Sequence, residues 1–125
     1  IQFIGFRKDV LPIMKASDLF ALSSRSESMT NVLREAMSVK TACVATDVLG
    51  IRGELMDHKV HGYIVEPENM EALYDGIEYV LTHPELKSEM EKNGYKRVKE
   101  SFSIEGMIDQ IENLFESQLE KKLQS

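Results

Sequence analysis

The apolar positions along the chain change repeatedly between a spacing that suits strands and one that suits helices. Short apolar runs bounded by glycine, proline or charged residues predict strands at 2–6, 19–22, 42–45 and 62–65. Apolar residues that recur one helical turn apart predict helices at 10–15, 31–38, 51–57, 70–82, 84–99 and from 104 onwards. This order predicts an α/β fold with a Rossmann-like parallel sheet of about four strands flanked by helices.

The residues at the helix ends support this division. Asp9, Asn69 and Ser103 suit the N-cap positions of the helices that follow them, and Pro84 suits a first turn. The last helix carries an apolar stripe, which is typical of a helix that packs on its own sheet. The stripe consists of Ile104, Ile108, Ile111, Phe115 and Leu119.

Length and composition favour one domain, because 125 residues with 42% hydrophobic content can bury a single core. The net charge of −6 argues against a nucleic-acid partner, since phosphate backbones are bound by clustered lysine and arginine. No apolar run is long enough to cross a bilayer and no signal peptide is visible, so we expect a soluble, cytoplasmic segment. The single cysteine, Cys43, lies in an apolar run and is predicted to be a buried thiol.

The polar segment 23–30 is the most informative part of the chain, because it joins a predicted strand to a predicted helix. Glu27 lies in this loop. On the helix, Glu35 faces away from the apolar stripe and shares a face with Asn31. The free N–H groups and the dipole of a helix N-terminus attract anions, and carboxylates accept hydrogen bonds from hydroxyls. The arrangement suits a nucleotide sugar.

The same residues carry a family resemblance. Glu27 and Glu35 are separated by seven residues, and characteristic segments flank them in a fixed order along nearly the whole chain. The chain resembles the C-terminal nucleotide-binding domain of the retaining glycosyltransferases of family 4, which have the GT-B fold. The segments that match are Ser24-Arg25-Ser26-Glu27, Asn31-Val32-Leu33-Arg34-Glu35-Ala36-Met37, Val44-Ala45-Thr46-Asp47-Val48, Gly50-Ile51-Arg52 and Gly62-Tyr63-Ile64-Val65.

The resemblance implies a role for each residue of the central segment. It implies that Glu35 holds the ribose of the donor and that Glu27 faces the donor sugar as the candidate catalytic residue. It further implies that backbone amides from Ser28 through Met29 and Thr30 to Asn31 approach the sugar and diphosphate. A nucleotide-diphosphate sugar is then the donor substrate, and neither a cofactor nor a metal is expected.

The resemblance also predicts what surrounds this chain. Residues 1–125 would be part of the donor-binding domain. We expect only a part of that domain, because the chain begins at Ile1 and enters an apolar run at once. The acceptor-binding N-terminal domain would be absent, so we expect the fragment alone to be inactive. The acceptor would be a glycan, a lipid or another hydroxyl compound. The full-length protein could then make peripheral contact with the inner face of a membrane.

Several residues depart from the family pattern. Ser28 and Lys40 stand where glycine is usual, Thr30 replaces a proline, and Leu49 replaces the first of two glycines. These departures leave open a non-catalytic relative that has lost its donor site.

A response-regulator-like signalling domain has a similar length, charge and sheet. Its clustered aspartates have only weak counterparts here, in Asp9 and Asp57.

The histidines and the basic residues near the predicted site do not require a functional role. His58 and His61 are three residues apart without the further ligands that zinc requires, so we expect no metal site. Basic residues near the predicted site are expected to be solvated, as most lysines and arginines are. They are Arg25, Arg34, Lys40 and Arg52.

Overall fold

A computed structural model describes residues 1–25, 30–101 and 104–124. Within this part of the chain, three strands form a parallel sheet in the order β1-β2-β3. The strands are β1 (Phe20–Leu22), β2 (Cys43–Thr46) and β3 (Tyr63–Val65). The helices are α1 (Val10–Ala16), α2 (Thr30–Ser38), α3 (Met70–Thr82), α4 (Pro84–Ser101) and α5 (Ile104–Leu123). The predicted α/β class with a parallel sheet is confirmed.

The core lies on both faces of the sheet. All four residues of β2 are buried, as expected of a parallel strand covered on both faces, and its first three residues are apolar. On one face α2 buries Leu33, Ala36 and Met37, so its predicted apolar stripe is confirmed. Val80 of α3 and Met90 of α4 are buried in a second cluster with β2 and β3 residues. Each fully buried side chain of this size contributes about 1.5–3 kcal/mol.

The predicted strand at 2–6 is wrong, because these residues have no regular structure. The φ of Gly5 is 64°, which is outside the extended region. The side chains of Phe3 and Phe6 are 95% and 93% exposed. A strand requires a hydrogen-bonded partner as well as β-prone residues, and in the described chain 2–6 has none.

The helix predicted at 51–57 is also wrong, although its apolar residues are buried as expected. The N–H groups of Leu55 and Met56 both donate to the carbonyl oxygen of Ile51, at 3.0 and 2.8 Å. Gly53 has a φ of 77°, so the chain forms hydrogen-bonded turns. Ile51, Leu55 and Met56 have no exposed surface. The spacing therefore predicted burial correctly and the conformation wrongly.

The predicted N-caps have different outcomes. The Asn69 side chain accepts a hydrogen bond from the N–H of Ala72 at 2.9 Å, which confirms its capping role. Asp9 occupies the N-cap position of α1, but its carboxylate makes no capping bond. It instead binds the Arg7 guanidinium through two contacts of 2.7 and 2.8 Å, so the capping prediction is wrong. Ser103 lies outside the described residues.

Two glycines allow helices to pack closely. A Cβ added to Gly76 of α3 would lie 2.7 Å from Val65 Cγ1 on β3. One added to Gly94 of α4 would lie 3.1 Å from the carbonyl oxygen of His61. At these positions α3 therefore packs closely on side chains of β3, and α4 packs closely on the backbone at His61, so a larger residue would collide.

The end of α2 has a left-handed residue at Lys40, with a φ of 60°. The N–H of Lys40 donates to Met37 O at 3.1 Å, and that of Thr41 donates to Ala36 O at 3.1 Å. These two bonds define a Schellman motif. The position usually holds glycine, because a Cβ makes this conformation unfavourable.

The apolar stripe of α5 is only partly described. Phe115 and Leu119 are 65% and 60% exposed, so for these two residues the predicted packing on the sheet is wrong. Among its described contacts, α5 meets α4. The side chains of Ile104, Ile108 and Ile111 lie outside the described part. No described helix is both long and apolar enough to cross a membrane.

Candidate functional site

The carboxyl ends of the three strands lie at one edge of the sheet because the strands are parallel. Ligands of open α/β sheets bind beyond this edge. The loops that leave it are tied together by hydrogen bonds. The Thr46 hydroxyl donates to the carbonyl oxygen of Ser24 at 2.6 Å, and the Asp47 N–H donates to Val65 O at 2.8 Å. The segment that leaves β1 therefore starts from a fixed position.

The predicted donor-binding residues are described only in part. Glu27, Ser28 and Met29 lie outside the described residues, so the distance between the two glutamates remains a matter of prediction. Thr30 is the first residue of α2. Asn31 and Glu35 are both exposed and lie four residues apart on that helix, so they share a face as expected.

Glu35 borders a cavity of about 590 Å³. The opposite wall is the segment that leads into α1, and it brings the cation of Lys8 to the same space. The lining residues are Lys8, Asp9, Val10, Leu11, Pro12 and Glu35. No hydrogen bond or ion pair joins the Glu35 carboxylate to a described residue. Its oxygens can therefore accept hydrogen bonds from a ligand.

The segment 8–12 was not predicted as part of the site. It lies more than twenty residues from Glu35 and was assigned only to a turn and a first helical turn. The predicted topology could have indicated this segment. A helix that leads into a parallel strand begins at the carboxyl edge of the sheet, and ligands bind at that edge.

Asn31 has a described partner. Arg34 Nη1 donates to the Asn31 Oδ1 atom at 3.0 Å, which fixes the amide on the exposed face of α2. The first turn of α2 contains no acidic residue. Within this first turn, an anion would therefore meet backbone N–H groups without a competing carboxylate of the helix itself.

The other basic residues have acidic or aromatic partners. Arg25 Nε lies 3.5 Å from Glu68 Oε1, and Arg52 Nε lies 2.9 Å from Asp47 Oδ2. Both arginines are exposed, as predicted. Lys40 Nζ lies 4.8 Å from the centre of the Tyr95 ring. Exposed pairs of this kind contribute about 0–1 kcal/mol, so these cations remain accessible to an anionic ligand.

The two neighbouring histidines accept hydrogen bonds from the backbone. His58 Nδ1 accepts from the Ile64 N–H and His61 Nδ1 from the Asp57 N–H, each at 3.0 Å. Burial lowers the pKa of both imidazoles below 6.5. For His58, Lys59 adds to this effect. Among the described residues, no three His, Cys, Asp or Glu side chains are grouped to hold a metal ion.

Cys43 is fully buried in β2, as predicted. Burial raises the pKa of its thiol to about 12. The thiolate, the reactive form, is therefore scarce at neutral pH.

Comparison with known proteins identifies the family. Residues 1–97 match the glycosyl transferases group 1 family. The chain belongs to this family. This membership excludes the response-regulator alternative, whose aspartate candidate Asp9 is in any case held by Arg7.

Curated relatives in the group 1 family are longer than this chain. The N-acetyl-alpha-D-glucosaminyl L-malate synthase of Bacillus anthracis is 31% identical over 115 residues, which are 92% of this chain and 30% of that protein. The UDP-Gal:alpha-D-GlcNAc-diphosphoundecaprenol alpha-1,3-galactosyltransferase of Escherichia coli is 27% identical over 92% of this chain and 29% of its own length. The chain therefore spans less than a third of these relatives.

Solved structures share the fold of this chain. Anabaena Alr3699/HepE in complex with UDP-glucose has a TM-score of 0.82 and 27% identity, over 93% of this chain and 32% of that chain. The C-terminal domain of the LpcC protein of Francisella tularensis has a TM-score of 0.72 and 27% identity, over 83% of this chain and 53% of that chain. The fold is that of GT-B glycosyltransferases.

Proposed function

We propose that this chain is the donor-binding part of the C-terminal domain of a retaining, family 4 glycosyltransferase. The enzyme transfers a sugar from a nucleotide-diphosphate sugar to a glycan, a lipid or another hydroxyl acceptor. An N-terminal domain outside this chain holds the acceptor, and the enzyme works in the cytoplasm or at the inner face of a membrane. The observation that carries the proposal is the Glu35 carboxylate, which borders a cavity of about 590 Å³ without a described partner.

The nucleoside fits this cavity. A carboxylate on a rigid helix can accept hydrogen bonds from two vicinal ribose hydroxyls, and charge-assisted bonds of this kind contribute about 1.5–3 kcal/mol each. Lys8, on the opposite wall, supplies a positive charge for an anionic donor. The complexes of Alr3699/HepE with UDP and with UDP-glucose support a uridine nucleotide as the first ligand to test.

The diphosphate and the donor sugar are assigned to the segment that enters α2. Backbone amides of Ser28 to Asn31 bind the diphosphate at the start of α2, whose first turn carries no acidic residue. Glu27 orients the donor sugar as the catalytic residue nearest the reacting carbon. Catalysis is then mainly positioning, together with stabilisation of the charge on the leaving diphosphate. The proposal requires no metal and no cofactor.

Titration of the full-length protein with UDP-, GDP- and ADP-sugars tests the ribose role of Glu35. We expect Glu35→Ala to lose at least about 1.5 kcal/mol of nucleotide affinity, because its hydrogen bonds to the ribose are lost. Glu35→Gln keeps the size and weakens binding less, since an amide oxygen still accepts hydrogen bonds.

Glu78→Ala is the matched control, because Glu78 is an exposed helical glutamate on α3. Equal affinities of wild type and Glu35→Ala would contradict the proposal. Strong nucleotide binding without sugar transfer to any acceptor would identify the non-catalytic relative that Ser28 and Lys40 leave open.

A further inference from the structure

A cavity of about 270 Å³ lies between α4 and the turn that precedes β3. Val60 and His61 come from that turn, so the cavity lies toward the amino edge of the sheet. Ligands of open α/β sheets bind at the opposite edge, so the proposed donor site does not account for this space. The rest of the wall consists of four residues that share one face of α4: Asn93, Lys96, Arg97 and Glu100.

Arg97 is a partly buried cation in this wall. Its Nη2 atom donates to Glu54 O at 2.9 Å and to Gly53 O at 3.4 Å. These neutral oxygens hold the guanidinium in place without compensating its charge. Among the described residues, no carboxylate lies within ion-pair distance of it, and its buried Nε atom has no hydrogen-bond partner. Buried cations usually have acidic partners, so Arg97 has unused capacity to bind an anion.

His61 supplies a neutral donor to the same cavity. Its side chain is only 14% exposed. The Nδ1 atom accepts the Asp57 N–H at 3.0 Å, so the neutral ring carries its hydrogen on Nε2. Burial lowers the pKa of this imidazole below 6.5, which keeps the ring neutral at pH 7.5. The Nε2–H group makes no hydrogen bond with a described residue, so it can donate to a ligand.

The remaining polar groups leave a positive balance. Lys96 Nζ lies 3.9 Å from Glu100 Oε1, and both side chains are exposed. A pair this long and exposed contributes little, so the ammonium can turn to a ligand. The Asn93 side chain donates to Val60 O at 3.2 Å. The wall therefore holds two cations against one carboxylate, in a chain whose net charge is −6.

The free groups in this wall are mainly donors, which is typical of a site for an oxyanion. An oxyanion offers several acceptor oxygens, and it forms charge-assisted hydrogen bonds with guanidinium and ammonium groups. The volume lies just below the range of about 300–1,000 Å³ that is usual for ligand pockets, which suits one anionic group rather than a nucleotide.

We propose that this cavity binds a phosphate group, from inorganic phosphate or from a small phosphate ester. Arg97 and Lys96 supply charge-assisted hydrogen bonds, and His61 donates through Nε2–H. The site is separate from the Glu35 cavity, with which it shares no lining residue. The proposal does not depend on the donor role of Glu35.

NMR of the His61 imidazole in the full-length protein tests this site, with the signal assigned from His61→Gln. The probes are inorganic phosphate, glycerol 3-phosphate and chloride, at pH 7.5 and constant ionic strength. We expect a saturable shift with both phosphates and none with chloride. Tighter binding of glycerol 3-phosphate would assign the site to a phosphate ester, and equal or weaker binding would assign it to the free ion.

Charge variants are expected to change phosphate affinity in opposite directions. Lys96→Gln should weaken it about tenfold, because one charge-assisted hydrogen bond is lost. Glu100→Gln should strengthen it about two- to fivefold, because the opposing carboxylate is removed. The matched controls are Lys15→Gln and Glu89→Gln, which make the same charge changes at exposed positions outside the cavity. Neither control should change the affinity.

Arg97 requires a comparison of two variants, because it also holds the backbone at Glu54. Arg97→Gln should weaken phosphate binding by at least about tenfold. Arg97→Lys keeps the charge and should weaken binding less. The exposed Lys96 and Glu100 provide the decisive variants if Arg97→Gln does not fold.

The proposal is overturned if phosphate produces no saturable shift, if chloride produces the same shift, or if the control variants alter affinity as Lys96→Gln and Glu100→Gln do. It is also overturned if UDP displaces phosphate from His61, because the cavity would then belong to the nucleotide site. Glu35-dependent UDP binding with a silent His61 refutes the phosphate site alone. Phosphate binding at His61 in a protein that binds no nucleotide retains the site and refutes the donor assignment.

Discussion

Lys40 has a left-handed backbone conformation that suits glycine better than lysine. The family usually has glycine at this position, and the φ of 60° is one that glycine adopts without cost. Both hydrogen bonds of the Schellman motif are nevertheless formed. The Lys40 ammonium lies over Tyr95, a contact worth about 0.5–1 kcal/mol at exposed sites. This contact offsets part of the strain.

Replacing Lys40 separates these two effects. We expect Lys40→Gly to have a free energy of unfolding about 1 kcal/mol higher than Lys40→Ala, because only alanine keeps the Cβ penalty. Both variants lose the Tyr95 contact, so the comparison isolates the backbone. Urea denaturation followed by circular dichroism measures the difference. Equal stabilities would show that the left-handed conformation is not strained here.

His58 and His61 predict a pH dependence of stability. Their pKa values are lowered in the folded protein, mainly by burial, so the unfolded chain binds more protons near its ordinary pKa of 6.5. Stability therefore falls as pH drops below about 6.5 and continues to fall until the folded pKa values are passed. Protonation would also turn each Nδ1 from acceptor into donor, opposing a backbone N–H.

We expect the urea midpoint to fall between about pH 7.5 and pH 5.5, through the window in which histidine titrates. The double variant His58→Asn/His61→Asn should flatten this slope, because an amide oxygen can accept the same hydrogen bonds without titrating. His83→Asn is the control, since His83 is exposed. A slope that is unchanged in the double variant would assign the effect to other groups.

At the scale of elements, α3 depends on a glycine. Alanine at position 76 would gain helix propensity of about 0.5–1 kcal/mol. Its Cβ would however lie 2.7 Å from Val65 Cγ1 and 3.0 Å from Tyr63 Cδ1. Overpacking of a closed interface costs about 1–3 kcal/mol, so the steric term is the larger.

Gly76→Ala should therefore lower the free energy of unfolding by about 1 kcal/mol in spite of its better propensity. Thermal or urea denaturation provides the measurement. Asp75→Ala, at the adjacent exposed position, should change stability by less than about 0.5 kcal/mol. A more stable Gly76→Ala variant would mean that α3 can move away from β3 at little cost.

The elements that sequence predicted well are those whose patterns are local. The continuous apolar run of β2 and the Asn69 cap of α3 each contain their own signal, and both are confirmed. The run at 2–6 is equally apolar, but strand formation depends on a partner that a local pattern does not reveal. At 51–57, Ile51 and Leu55 are buried on a turn rather than on a helix, because burial alone does not fix the backbone.

In the candidate site, too, the residues with a local sequence pattern were predicted and those brought in by the fold were not. Glu35 follows from the helical spacing around it, and its exposure on α2 is confirmed. The facing segment 8–12 was not predicted, because only the folded topology brings the start of α1 to Glu35. Glu27 stays a prediction.

At the scale of the molecule, the described part of the site lies within this chain. Glu35 and Lys8 line one cavity, and α2 begins at Thr30. Transfer would require acceptor groups from elsewhere. The isolated 125-residue chain should therefore bind nucleotide and fail to transfer sugar.

We expect UDP to bind the isolated chain with a Kd on the order of 1 mM, weaker than in the full-length protein because the proposed N-terminal domain would add contacts. Ligand-detected NMR measures this binding, and a radiolabelled UDP-sugar assay measures transfer. Glu35→Ala should abolish the NMR effect. Sugar transfer by the isolated chain would contradict the two-domain arrangement.

The hydrogen bond from Thr46 to Ser24 has a consequence for engineering within the family. The segment that follows β1 is held by the Thr46 side chain of the neighbouring strand, although Ser24 and Thr46 are far apart in sequence. A chimaera that imports another donor specificity by grafting 23–35 alone would lose this tether whenever the recipient lacks a hydroxyl at 46. Grafting the segment 23–35 together with the residue at position 46 should preserve this hydrogen bond.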